Sequence, residues 1–171
     1  MLYSDPFLGI FDRTAEGRSG EEFAEAKKAL AAGEKSARFG YIFKTLAALC
    51  DVMEIKYTLG IRTRTAYREK DKAGLEFLAG EYKELEKRLA KFYKQFAAQW
   101  AQECKPNGFE KHDIRLGGLM QRVRHCRERL RKYCKGELRS LLELDEGILP
   151  YGGNVSGNSV CYNNWATTAV I

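Results

Sequence analysis

Leu75, Leu78, Tyr82, Leu85, Leu89, Phe92 and Phe96 recur at alternating spacings of three and four, and Trp100 continues the row. Residues three and four apart share one face of an α-helix, so this is a single apolar stripe sustained over three heptads. The positions between carry Glu81, Lys83, Glu84, Glu86, Lys87 and Arg88, a solvated outer surface. Asp71 is placed to cap the segment, which predicts a helix from about Lys72 to Glu103. A stripe this long needs a partner of matching length. A free coiled coil would supply one. An antiparallel hairpin with the preceding helix is simpler, because only the short Arg68–Asp71 connection separates the two.

That preceding helix is expected from about Ser36 to Tyr67. Ile42, Leu46, Leu49 and Met53 form one row, with Phe43, Cys50 and Tyr57 beside it, and the width of the stripe predicts a central position. Gly40 and Gly60 interrupt it, and 60–64 is expected to be frayed or kinked. Upstream, Ser19 and Glu22 have the spacing of a capping box, predicting a helix to about Ala32 ended by Gly33.

After the long helix, Pro106-Asn107-Gly108 reads as a turn. Asp113 is placed to cap the next helix, where Leu116, Leu119, Val123, Cys126, Leu130 and Tyr133 form a third stripe that ends before Gly136. Gly117 and Gly118 lie in its first turns, where each costs about 1 kcal/mol relative to Ala, which suggests a backbone or partner surface passing close by. A shorter helix is expected over about Glu137 to Asp145, with Leu138, Leu141, Leu142 and Leu144.

The fold class is therefore all-α: an antiparallel helical bundle of three long helices plus shorter ones. It is a single domain over 1–171, with an irregular lead-in at 1–18, the bundle at 19–146, and a loop and extended tail at 147–171. The lead-in carries Leu2, Phe7, Leu8, Ile10 and Phe11, more apolar side chains than an isolated domain usually opens with, so the chain is expected to continue from a domain upstream. The tail carries Cys161, Tyr162, Trp165, Val170 and Ile171 and is expected to dock on something.

Composition limits the function classes. The chain has 171 residues, enough for one domain with a real core. Five cysteines, an odd number with no secretory signal at the start, predict reduced thiols and a cytoplasmic setting. No stretch approaches the ~20 apolar residues of a membrane span. The formal net charge of +6 permits an acidic partner. Residues 122–135 hold seven cations, but they circle the helix and have no interleaved aromatic platform, so nucleic acid is not expected. On such a helix Arg can fork onto carboxylates and carbonyls of a protein surface, or simply be solvated.

His112, His125, Cys104, Cys126 and Cys134 match no metal-ligand spacing, and Cys126 lies on the apolar stripe, so no metal and no cofactor are expected. No nucleophile elbow, phosphate-cradling loop or Cys/His pairing is present. Asp145-Glu146 are adjacent acids at a helix end and read as solvated. Exposed aromatics such as Trp100 or Trp165 would suit a glycan, but both sit in apolar patterns.

One block is more specific than periodicity. Residues 104–136, CKPNGFEKHDIRLGGLMQRVRHCRERLRKYCKG, followed by LLELDEGIL at 141–149, closely resemble the C-terminal helical domain of a bacterial branch of the family 20 glycoside hydrolases, the β-N-acetylhexosaminidases. DPFLGIFD at 5–12, the block at 38–67, FAAQW at 96–100 and YNNW at 162–165 extend the resemblance through the chain. It implies a non-catalytic accessory domain behind a (β/α)8 barrel of the same polypeptide. That barrel would hydrolyse terminal N-acetylhexosamine residues, using an Asp-Glu pair and the substrate's own acetamido group. The chain alone would be inactive. The resemblance also implies packing on the barrel, support of a homodimer and an approach to a partner's substrate pocket. Asn107 stands where the family's KPHGF block has His. From clustering and family position, Asp113, Arg115, Arg122 and Arg127 are expected in a polar network or domain interface. The alternative is a free-standing basic helical protein that binds nucleic acid or an acidic protein partner.

Overall fold

The computed structural model describes residues 1–10 and 12–147, and all of its regular structure is helical. Six α-helices occur among the described residues: α1 (Asp12–Ala15), α2 (Glu21–Leu30), α3 (Gly40–Arg68), α4 (Lys72–Glu103), α5 (Glu110–Cys134) and α6 (Leu142–Asp145). A 3-10 turn, Gly33–Lys35, links α2 to α3. The tail beyond 147, with Trp165, lies outside the described residues.

The α4 stripe behaves as its spacing requires. Leu75, Leu78, Tyr82, Leu85, Leu89 and Phe92 are all buried, and the Asp71 carboxylate accepts from the Gly74 backbone N–H at 2.9 Å. α3 and α4 form the antiparallel hairpin, and α5 packs along another side of α4. Leu116, Leu119, Val123, Cys126 and Leu130 reach zero exposure there. Burying a side chain of this size contributes roughly 1.5–3 kcal/mol. α3 is central, packing against α4, α2, the 3-10 turn, α1 and α6.

Several boundaries and faces differ from the sequence reading. Gly20, not Ser19, holds the N-cap of α2. A Cβ on Gly20 would fall 1.9 Å from the Glu54 carbonyl oxygen, so the loop lies directly on α3 and only Gly fits there. Ser19 Oγ still accepts from Glu21 N, at 3.2 Å. α3 begins at Gly40 and runs unbroken through 60–64. Its buried face is Thr45, Ala48, Val52, Ile55, Leu59 and Thr63, while Leu46 is 41% exposed. α4 approaches on the side of the small residues, where two helix axes can come closer; of the larger row Leu46 is left outward, whereas Met53 is buried and Leu49 packs on the core.

Asp113 is not a cap. α5 begins at Glu110 with Phe109 at its N-cap, and Asp113 accepts a hydrogen bond from Tyr93 Oη at 2.6 Å. At Gly117 an added Cβ would meet nothing within 4 Å, so no other part of the described chain passes there. The last helix shrinks to Leu142–Asp145 because residues 137–141 run irregularly: Leu141 is buried, and its N–H donates to Tyr67 Oη at 2.9 Å.

Candidate functional site

The lead-in is held by charge. Lys56 and Arg64 lie eight residues apart on α3, on the inner side with Leu59 and Thr63, and are only 5% and 4% exposed. Lys56 Nζ donates to the carbonyl oxygens of Met1 (3.1 Å) and Ser4 (2.6 Å) and reaches Ser4 Oγ at 3.1 Å. The Arg64 guanidinium donates to the carbonyls of Leu144 (3.1 Å), Glu146 (3.1 Å) and Glu143 (3.3 Å), and to that of Phe7. One side chain thus joins the two ends of the described chain. Between Lys56 and Arg64, Gly60 lets Pro6 approach: a Cβ there would stand 2.8 Å from the Pro6 carbonyl oxygen.

α5 closes the arrangement from the other side. Arg122 Nε donates to Asp5 Oδ2 at 2.5 Å, and its Nη2 reaches Glu143 Oε1 at 3.2 Å. Arg129 donates to both oxygens of Glu143. Asp5 also accepts from the backbone N–H groups of Phe7 (2.8 Å) and Leu8 (3.1 Å). Phe7 is fully buried inside this ring, edge-on to Tyr82 at 6.3 Å, with the Arg122 and Arg129 guanidinium carbons 5.5 and 5.9 Å from its ring centre. Tyr82 Oη pairs with Thr63 Oγ1 at 3.1 Å. We call this set of contacts the clasp.

Its electrostatics follow from burial. Loss of water pushes the Lys56 ammonium down to about 8, against the pull of Asp5 and Asp12. Burial raises the Asp12 carboxyl, and its Oδ2 has no hydrogen-bond partner among the described residues. For Glu143, burial is outweighed by Arg129 and Arg122, and its carboxyl falls below its ordinary value. Burial also raises the Cys126 thiol, which suits a small hydrophobe and not a nucleophile.

At the far end of α4 an aromatic cluster fastens the α4–α5 loop. Phe96, Trp100, Phe109 and His112 pack with ring centres 4.9–6.1 Å apart, and Trp100 Nε1 donates to the Lys105 carbonyl at 2.9 Å. Trp100 is therefore engaged in packing.

The four residues singled out from sequence go to different places. Arg122 belongs to the clasp. Arg115 lies over the Tyr3 ring at 5.8 Å, also against the lead-in. Arg127 donates to Glu86 on α4 at 3.0 Å, a carboxylate that Arg124 shares. Asp113 pairs with Tyr93 beside the aromatic cluster. Sequence reasoning does not single out Lys56, Arg64, Asp5, Arg129 or Glu143. Their available signal is two cations on the buried side of a helix with a glycine between them.

No hydrolytic pair presents itself among the described residues. Asp145 accepts from Tyr67 Oη at 2.8 Å. In a wide groove of about 960 Å3 between residues 15–21, α3 and α4, Glu54 and Glu84 both pair with Arg88 and Glu81 pairs with Arg62. No group of three His, Cys, Asp or Glu among the described residues is placed to hold a metal ion. No described helix is long and apolar enough to cross a membrane.

Residues 1–162 match the model of the Glycoside Hydrolase 20C C-terminal domain. The chain belongs to that family. The 20C C-terminal domain is thus, in this chain, an all-helical unit whose clasp lies within the matched residues. No match to a curated protein was found.

Proposed function

We propose that this 20C C-terminal domain is a non-catalytic accessory domain of a β-N-acetylhexosaminidase. It packs on a (β/α)8 barrel of the same polypeptide and supports dimerisation, and the parent enzyme hydrolyses terminal N-acetylhexosamine residues in a cytoplasmic setting. The clasp is the observation that carries this reading. A buried Lys, a buried Arg and the Arg122–Asp5 pair fix the path of residues 1–10, so a domain joined through them would sit at a defined orientation. Exposed apolar side chains at Phe39 (44%), Leu46 (41%) and Ile114 (56%) offer area for such packing. The four described cysteines are free thiols, which suits a reducing compartment.

The reading is tested by hydrolysis of p-nitrophenyl N-acetyl-β-glucosaminide by the 171-residue chain and by a longer polypeptide that carries an upstream barrel. Turnover in the longer protein alone is expected. Loss of that turnover with Arg64→Met, while the barrel keeps its far-UV circular dichroism, would tie the clasp to orientation. Turnover by the short chain would overturn the proposal.

A further inference from the structure

A second charged site lies away from the clasp, between α4 and α5. The α4 row Glu76, Gly80, Lys83 faces the α5 row Arg127, Arg131 and its continuation Lys135, each row spaced by a helical turn. The two antiparallel rows enclose a trough of about 390 Å3. It has four cations on its walls and a single carboxylate, Glu76, at one end. We propose that this trough binds a tetrahedral oxyanion, the phosphate or sulfate group of a small ligand.

The pairing state of these cations points to it. Three of the four cations are not consumed inside the protein, or only weakly. Lys83 and Arg131 form no ion pair among the described residues, and Lys135 reaches only Glu137, at 4.0 Å. Arg127 spends Nη1 on Glu86 at 3.0 Å, but its Nε is buried without any hydrogen-bond partner. By contrast Arg122, Arg124 and Arg129 on the same helix each hold a carboxylate.

The α4 side of the trough is also open at its middle. Gly80 stands in the interior of a 32-residue helix, where glycine is a poor helix former, and an added Cβ would meet nothing within 4 Å. The space above it stays open. The chemistry of the walls selects the ligand. A lone carboxylate is satisfied by one guanidinium fork. Four cations around a small volume match a dianion with oxygens in several directions. The inference does not rest on the hexosaminidase reading, because it uses only the trough's own groups.

The test is isothermal titration of the 171-residue chain with inorganic phosphate, sulfate and N-acetylglucosamine 6-phosphate, each against chloride of matched ionic strength. Saturable binding of one phosphate or sulfate per chain is expected. An ester that binds tighter than inorganic phosphate identifies a sugar ester as the source, and equal binding identifies the free anion. Arg131→Gln with Lys83→Gln should weaken binding by roughly a hundredfold, about tenfold for each cation. Gly80→Leu, at an exposed site with open space, should keep the helix and block the trough. Heat no greater than that of chloride, or unchanged affinity in either variant, overturns the proposal.

Discussion

The clasp and the aromatic cluster both fasten irregular chain to long helices, and they use opposite chemistry. At the clasp, Lys56 and Arg64 are withdrawn from water to hold the carbonyls of Met1, Ser4 and Phe7. At the α4–α5 loop, rings of Phe96, Trp100, Phe109 and His112 do the holding, with one indole hydrogen bond. Aromatic contacts are short-ranged and tolerant of small shifts, which suits a loop whose two ends are already fixed by the paired helices. Residues 1–10 are not bracketed by such a pair. Hydrogen bonds from a buried cation are directional and strongly penalised when lost, so they define one path.

The contrast can be broken from either side. Arg64→Met should have the largest effect, a loss of about 4 kcal/mol in urea unfolding, because four carbonyls lose a charged donor at once. Limited proteolysis of that variant should cut first within residues 1–10, and a loss under about 1 kcal/mol would show that water satisfies those carbonyls.

Lys56 sharpens the comparison through pH. Its ammonium titrates at about 8 in the folded protein against 10.5 for the free side chain. The unfolded chain therefore holds the proton more tightly, and folding stability from this group is full above 10.5 and lost as pH falls through 8. Relative to Lys56→Met, the wild-type protein should gain up to about 3 kcal/mol between pH 7 and pH 10.5, measured by urea unfolding at both values. A flat difference would mean that the amine is hydrated. Gly60→Ala should cost about 2 kcal/mol, since its Cβ would press on the Pro6 carbonyl at 2.8 Å. It should also raise amide exchange in the lead-in. At the aromatic end, Trp100→Leu should cost only about 1 kcal/mol, with no pH dependence and no change in proteolysis of residues 1–10.

The regions also differ in how much of them can be read from sequence. α4 and α5 follow from spacing because their inner faces are built from large apolar residues, and Asp71 marks the start of α4. α3 has the right length and central place, but only part of the expected row faces inward: Met53 is buried and Leu49 packs on the core, while Leu46 lies outward. Leu46 outweighs Ala48 and Thr63 on any hydrophobic scale, yet packing against α4 buries the two smaller residues and leaves Leu46 outside. The clasp is hidden for a related reason. A Lys or Arg in a helix normally reads as solvated, and its burial depends on carbonyls from residues some 50 to 80 positions away. The capping box fails because Gly20 is fixed by contact with Glu54, a constraint absent from local sequence. Of the four residues chosen from α5, Arg122 meets the clasp, Arg115 touches the lead-in and the other two serve α4.

All but one of the acceptors of Lys56 and Arg64 are main-chain oxygens. Every amino acid carries that oxygen, so Lys56 and Arg64 recognise where the polypeptide runs and are indifferent to which side chains it bears at Met1, Leu144 or Glu146. Sequence drift should therefore be tolerated at the exposed positions of the held segments, and not on the two cations, on Asp5 and Glu143, or on the buried Phe7 and Leu144. A family built on this device could exchange the exposed residues of these segments while inheriting the same junction geometry.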